Sequence, residues 1–384
     1  MDETQTRPEL LQAEQAPANP PSRKRQLDSN DDAEPRTRPA RLTRRNLAAF
    51  NKAVNKTGKE KTSDEDSGST KTKTISIISP RFASRACQNG ILGPWFNSGP
   101  PVNLEEIRRR IARSRGTASP TESAYGDYAD RIGGASNEDT VICEMMPLLK
   151  KYPKGYKRTV NQAFTAFPKD VGFNNGLSAP QPDYVEGLEM GQFYPVLIHK
   201  QIRGAVLYKE DICSVTLPHI AGEMKGPDGS MREAELQSAY TGAALVFART
   251  QALSSMGRSD PPGHANVTTF TTDGKTLNLF AHYTTTAEDG TLKYRQYPIT
   301  SKSLVNSHQE HKEARKLLRN EQDHAMRQSC ALRDQLREHY KQQRSSGLRP
   351  TTEGVPPTLA VPGTEPLHAY EDEVVEPHVQ AQAQ

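Results

Sequence analysis

Two charged side chains close an apolar stretch in the middle of the sequence. Glu223 and Lys225 follow the run LPHIA (217–221) and precede a Gly-Pro-Asp-Gly turn. Because side chains alternate along a strand, a strand that ends here places the carboxylate and the ammonium on the same face. A Glu-x-Lys pair of this kind is either a solvated ion pair or half of a metal-dependent hydrolytic site.

The elements around this pair follow a definite order in the sequence. Hydrophobic spacing and turn residues predict a helix, two strands, the strand that carries the pair, a long helix and a β-meander. They are expected near residues 136–149, 158–167, 183–189, 217–225, 230–253 and 266–299. The interval 116–134 is predicted to be a loop. This order predicts an α/β fold, or α+β if the mixed character of its sheet is stressed.

The helix–strand–strand–strand–helix–strand order resembles the PD-(D/E)XK nuclease superfamily, whose restriction-endonuclease-like core is α-β-β-β-α-β around a mixed sheet. QPD at 181–183 is similar to the PD element, and GEMK at 222–225 is similar to the ExK element. More narrowly, LSAPQPDYVEGL, PHIAGEMKG and GSMREAELQSAYTGAALV resemble a widespread fungal domain of unknown function with this core. The resemblance covers roughly residues 80–305.

The resemblance implies a role for five side chains. Asp183 and Glu223 would be the metal ligands, with Glu144 as an additional acid from the first helix. Lys225 would be the catalytic cation, and Gln237 an accessory catalytic residue in the following helix. Two carboxylates on adjacent strands suit Mg²⁺, which prefers oxygen ligands and retains waters. The metal acidifies a bound water, and a neighbouring lysine stabilises the charged transition state.

The resemblance therefore predicts Mg²⁺-dependent hydrolysis of phosphodiester bonds in DNA. The alternative is a catalytically inactive nuclease-fold protein that binds nucleic acid or another protein. Two departures keep this alternative open. Thirty-nine residues separate Asp183 from Glu223, and Gln237 is followed by Tyr240 at a spacing one residue shorter than in one nuclease branch.

Composition and charge divide the chain into four parts. Only 34% of the 384 residues are hydrophobic, which indicates one folded domain with polar flanks. We predict a disordered basic arm at 1–74, a nuclease-like domain at 75–305, an extended solvated helix at 306–344 whose first half packs on the domain, and a disordered acidic tail at 345–384. The overall net charge is only +4.

Short basic clusters in the N-terminal arm suggest where the protein acts. The clusters are Arg23, Lys24, Arg25 and, further along, Arg44 and Arg45. In a flexible arm they are typical of a nuclear import signal or of a phosphate-binding segment, and a merely solvated charge run is the third interpretation. Nuclear localisation is the leading expectation, with the cytoplasm as the alternative.

Several classes of protein are not indicated by the sequence. The four cysteines are widely spaced and form no Cys-x-x-Cys pair, so neither a zinc cluster nor a disulfide partner is expected. The N-terminus has no apolar core of a signal peptide, and no apolar run is long enough to span a membrane. The sequence gives no indication of the oligomeric state.

Overall fold

A seven-stranded mixed sheet organises the part of the chain that the structure describes. The computed structural model describes residues 74–346, except residues 97, 153 and 210. The strands lie in the spatial order β1-β7-β6-β5-β4-β3-β2. Pairs β1–β7 and β4–β5 are parallel, and the other neighbours are antiparallel. The strands are β1 (Ile91–Leu92), β2 (Tyr156–Val160), β3 (Tyr184–Glu189), β4 (Val215–Met224), β5 (Val267–Thr272), β6 (Thr276–Thr286) and β7 (Leu292–Ser303).

The helices confirm the predicted mixed α/β class and complete the order of elements. They are α1 (Phe82–Gln88), α2 (Leu104–Ala112), α3 (Glu122–Gly133), α4 (Glu138–Met145), α5 (Ile198–Gln201), α6 (Met231–Ser254) and α7 (His308–Ser345). The series α4-β2-β3-β4-α6-β5 reproduces the predicted sequence of helices and strands. Only the four-residue α5 and a 3₁₀ turn lie between β3 and β4.

Alternating side chains of the central strands divide the hydrophobic core into two clusters. Tyr184 and Ile220 pack with α4 and the first half of α7, whereas Val185 and Ala221 pack with α6. Every residue of β4 and β5 is buried. Central strands that are covered by helices on both faces show this continuous burial. The sheet is therefore the middle layer between α6 and the α4–α7 side.

The long helix α6 begins at a capping box. Ser230 is the N-cap, and its side chain accepts a hydrogen bond from the backbone N–H of Glu233, the acidic residue three positions on. Small residues then allow the helix to approach the sheet closely. A Cβ atom at Gly242 would lie 2.1 Å from Nδ1 of His282 on β6. The helix is fixed at this distance because a larger residue does not fit.

The β-meander forms with the turns that the sequence predicts. Gly274 and Gly290 both adopt positive φ angles in the connections that follow β5 and β6. The side chain of Asp273 accepts hydrogen bonds from the backbone N–H groups of Lys275 and Thr276. Asp-Gly turns of this type set the register of a hairpin, because glycine adopts the left-handed conformation without steric strain.

Two local predictions are wrong. The predicted loop at 116–134 contains the helix α3, which Thr121 caps by accepting a hydrogen bond from the Ala124 N–H. The predicted strand at 158–167 is displaced, because β2 runs only from Tyr156 to Val160. In α3 the glycines at 126 and 133 and several polar residues weaken the helical pattern, and the cap decides where the helix begins.

The last helix is packed into the core beyond its first half, whereas the sequence predicted an extended solvated helix that packs on the domain by its first half. Leu318 belongs to one core cluster and Leu332 to the other. Some buried positions are polar and have partners on other elements. The Glu321 carboxylate accepts hydrogen bonds from Arg110 at 2.9 and 3.1 Å and from Thr268 at 2.8 Å. The sequence pattern looked solvated because these buried contacts are made by charged and polar side chains.

Other predictions concern cysteines, membranes and termini. All four cysteines are free, so no disulfide is present. No helix among residues 74–346 is both long and apolar enough to cross a membrane. The predicted disordered arm and tail, with the basic clusters at Arg23–Arg25 and Arg44–Arg45, lie outside the described residues.

Candidate functional site

The register between β3 and β4 places Asp183 beside Glu223. Tyr184 pairs with Gly222 in this antiparallel ladder, so the preceding Asp183 lies opposite Glu223. Side chains at directly opposite positions share a face, with their Cβ atoms about 4.5–5.5 Å apart. The 39-residue interval that separates the two acids in the sequence therefore does not separate them in space.

Asp183 is buried at the end of the sheet and hydrogen-bonded to the backbone. Its side chain is 5% exposed, and its Oδ2 accepts a hydrogen bond of 2.6 Å from the backbone N–H of Met224. Burial raises the pKa of the Asp183 carboxyl to about 6, although the Met224 N–H and the charge of Lys225 act in the opposite direction. The Asp183 carboxyl therefore titrates closer to neutral pH than an ordinary aspartate does.

Glu223 is more deeply buried and is held by the long helix. Its side chain is 2% exposed, and the Thr241 hydroxyl of α6 donates a hydrogen bond of 3.0 Å to its Oε1. Burial raises the pKa of Glu223 well above its usual range, and the charge of Asp183 raises it further. The sequence did not identify Thr241, although it lies one helical turn after Gln237 on the same face.

Lys225 lies between the acid pair and the start of α4. Its Nζ is 3.6 Å from Oε2 of Glu138, the first residue of that helix. The backbone is close as well, because a Cβ atom at Gly226 would lie 2.8 Å from the Glu138 nitrogen. Only glycine permits this contact, which fixes the end of β4 against the N-terminus of α4 and positions the lysine.

The acids that α4 contributes are not the predicted one. Glu144 forms an ion pair of 2.7 Å with Arg131 on α3, six residues beyond Glu138 and about 9 Å further along the helix axis. The negative charges of Glu138 and Asp139 raise the pKa of Asp183, so these two acids act on the site electrostatically. Glu144 is paired with Arg131 instead, and the sequence did not show which end of α4 meets β4.

Gln237 lies one helical turn before Thr241 on α6, and its hydrogen bond goes to a residue outside the acid pair. It is 7% exposed on α6, and its Nε2 donates a hydrogen bond of 3.4 Å to Oε1 of Glu233. One helical turn further on, Thr241 makes the direct contact with Glu223. Gln237 and Thr241 therefore share one face of α6, and it is Thr241 that contacts Glu223.

Asp183 and Glu223 supply two carboxylates to this site. Among the residues that the structure describes, no group of three or more His, Cys, Asp and Glu side chains is arranged to hold a metal ion. Mg²⁺ is commonly bound through one or two protein carboxylates, with waters completing its coordination. Burial raises the pKa of both carboxyls, and a divalent cation between them would favour their ionised forms, so the donor set of the pair fits such a cation.

Comparison with family models assigns the chain. Residues 134–332 match the model described as "Domain of unknown function (DUF7924)". The chain belongs to this family. The DUF7924 region begins directly after α3 and ends within α7, and it contains Asp183, Glu223, Lys225 and Gln237. A search of curated proteins finds no match.

We expect Asp183→Asn to stabilise the DUF7924 region at neutral pH. The pKa of Asp183 rises from the ordinary 3.8 to about 6 on folding. Between these two pKa values the folded protein therefore binds more protons than the unfolded chain. Its free energy of unfolding falls as the pH rises through this range. Asparagine avoids this loss and keeps an oxygen for the Met224 N–H. The expected gain is about 1–2 kcal/mol above pH 7, and it disappears below about pH 4.

Urea denaturation between pH 4 and pH 8 measures this difference. The matched control is Glu338→Gln, which neutralises an exposed acid on α7 and is expected to change stability by less than about 0.5 kcal/mol. Equal or lower stability of Asp183→Asn at pH 7.5 would contradict the electrostatic description of the site.

Proposed function

We propose that this protein hydrolyses phosphodiester bonds in DNA with the help of Mg²⁺, on a PD-(D/E)XK nuclease-like core. The observation that carries the proposal is the cross-strand placement of Asp183 opposite Glu223, with Lys225 directly after the end of β4. The order α4-β2-β3-β4-α6-β5, with β4 and β5 parallel and β2, β3 and β4 antiparallel, supports it.

Each side chain has a defined task in this proposal. Asp183 and Glu223 would hold the cation through their buried carboxylates, and Thr241 orients Glu223 by donating to Oε1. Bound Mg²⁺ supplies an acidified water and offsets charge on the scissile phosphate. Lys225 is held near the pair by Glu138 and carries the positive charge that stabilises the attacked phosphate.

A second candidate function is supported by the same contacts. Asp183 already accepts the Met224 N–H, Glu223 accepts the Thr241 hydroxyl, and Lys225 lies beside Glu138, so all three central groups have partners within the protein. Glu138 and Asp139 add negative charge near the pair, which opposes the approach of a phosphate. These contacts favour a catalytically inactive protein that uses the fold to bind nucleic acid or a protein partner.

Cleavage assays distinguish the two candidates. Purified full-length protein is incubated with single-stranded and double-stranded DNA in Mg²⁺ or Mn²⁺. The enzyme proposal predicts cleavage that falls at least about 100-fold in Glu223→Gln and in Lys225→Ala. It predicts no change in Glu338→Gln, whose acid is on the exposed side of α7. Absence of cleavage, or equal cleavage by all variants, rejects the enzyme; DNA binding without cleavage favours the inactive candidate.

We also propose that the protein is imported into the nucleus of a fungal cell through its N-terminal segment. The basis is the sequence alone, with Arg23–Arg25 and Arg44–Arg45 as the basic clusters. A fluorescent reporter fused to residues 1–74 is expected to accumulate in nuclei. The same reporter with alanine at these five positions is expected to spread through the cell. A cytoplasmic distribution of the unmodified fusion rejects the import role.

A further inference from the structure

A basic and aromatic segment lies at the edge of the sheet, outside the carboxylate site. The sequence KKYPKGYKR spans residues 150–158, and its last three residues begin strand β2. Among the described strands, β2 is the last in the spatial order, so one of its sides is not paired within the sheet. Alternating cations and tyrosines at such an edge are typical of surfaces that contact nucleotides through charge and stacking.

A pocket opens beside this segment. Its volume is about 370 Å³, within the lower part of the range of small-ligand sites. Glu186 is 1% exposed, whereas Lys151 is exposed, so the carboxyl forms the deep part of the pocket and Lys151 lies at its mouth. Lys157 pairs with Gly187, next to the Arg158–Glu186 pair, so its side chain is directed to the other face of the sheet. The lining residues are Lys151, Tyr152, Tyr156, Lys157, Arg158 and Glu186.

Glu186 has one oxygen that is satisfied and one that is not. Its Oε2 accepts hydrogen bonds from the Tyr184 hydroxyl and from Nε2 of Gln322, the latter at 2.9 Å. Its Oε1 is buried without a hydrogen-bond partner, and so is the Tyr156 hydroxyl. An unpaired buried oxygen destabilises a folded protein, so two of them in one pocket indicate that a ligand with hydrogen-bonding groups binds there.

This pocket is separate from the carboxylate pair. Glu186 lies three residues after Asp183 on the same strand, and strand alternation directs it to the opposite face of the sheet. Its contact with Gln322 of α7 agrees with this placement, because Glu223 contacts α6 on the other face. The two sites can therefore be tested by separate substitutions.

The lining residues restrict the chemistry of the ligand. Glu186 Oε1 accepts a hydrogen bond, whereas Lys151 repels a cation and attracts an anionic group. The rings of Tyr152 and Tyr156 meet edge to face, with centroids 4.7 Å apart and planes inclined at 63°, and they give the pocket an aromatic side. Arg158 is already engaged, since it donates a hydrogen bond of 2.6 Å to the Lys150 carbonyl. A flat group with a neutral N–H donor, joined to an anionic group, satisfies all of these requirements.

We propose that this pocket binds a nucleoside monophosphate unit, either free or within a single nucleic-acid strand. An N–H of the base donates to Glu186 Oε1, the base lies against a tyrosine ring, and the phosphate is held by Lys151. The site does not depend on the proposed hydrolytic activity, since none of its residues belongs to the carboxylate pair.

Binding measurements on the full-length protein test this site. Calorimetry with the four nucleoside 5′-monophosphates detects a free nucleotide, and fluorescence anisotropy with labelled single-stranded DNA and RNA octamers detects a strand. Ribose 5-phosphate is the matched probe that lacks a base. Binding of a monophosphate supports a free nucleotide as the source, and binding of an octamer alone supports a strand. No binding of any probe, or equal binding of ribose 5-phosphate, overturns the proposal.

Two substitutions locate the binding at the pocket. In Glu186→Gln the amide oxygen is held where Tyr184 and Gln322 donate, so the NH₂ group replaces the acceptor at Oε1. We expect affinity to fall at least about tenfold. Tyr156→Phe keeps the ring and removes an unpaired hydroxyl, so it is expected to fold normally and to bind roughly three- to tenfold more weakly.

Lys275→Ala is the matched control for surface charge. This exposed lysine lies in the connection between β5 and β6 and does not line the pocket, so its removal is expected to leave affinity within about twofold. Unchanged affinity in both Glu186→Gln and Tyr156→Phe overturns the proposal, because binding would then occur elsewhere on the protein.

Discussion

The antiparallel pairing of β3 with β4 is the constraint on which the site depends. The pairing of Tyr184 with Gly222 brings Asp183 opposite Glu223, and a slip of one residue would turn these side chains to opposite faces. Close packing helps to fix the position of this strand, since a Cβ atom at Gly222 would lie 2.2 Å from the Phe270 ring. The geometry of the carboxylate pair is therefore set by the central strands and not by a mobile loop.

Burial of this pair is electrostatically unfavourable, which makes it unusual for a purely structural feature. Asp183 and Glu223 both have raised pKa values, with burial as the first cause in each. One lysine is present, and Glu138 shares its charge. A purely structural contact would be served as well by uncharged side chains, because Thr241 and the Met224 N–H need only an oxygen acceptor. Buried ionisable side chains with raised pKa values are typical of a functional site.

The sequence predicted the main elements because each has a strong local signal. Strand β4 is apolar and ends at a Gly-Pro-Asp-Gly turn, α6 has a capping box at Ser230, and the meander has its Asp-Gly pairs. The pairing of Asp183 with Glu223 followed from a family resemblance that supplied the long-range information. Local pattern alone does not specify which strands are neighbours.

The parts that sequence reasoning missed depend on contacts between distant elements. The last helix looked solvated because buried positions such as Glu321 are charged, and only the fold reveals their partners Arg110 and Thr268. Glu144 and Glu138 are both acids of α4, and only its packing against β4 distinguishes them. The two oxygens of Glu186 differ for the same kind of reason. Oε2 is bonded to Gln322, which lies 136 residues away in the sequence, and Oε1 has no partner.

We propose that Asp183 and Glu223 form one cation site. Calorimetric titration with Mn²⁺ at pH 6.5, in two buffers of different ionisation enthalpy, measures this directly. We expect one bound ion per chain with net release of protons, because binding requires both carboxylates to be ionised. We also expect Glu223→Gln to lose most of this binding. Absence of binding, or equal binding by wild type and Glu223→Gln, would contradict the proposal.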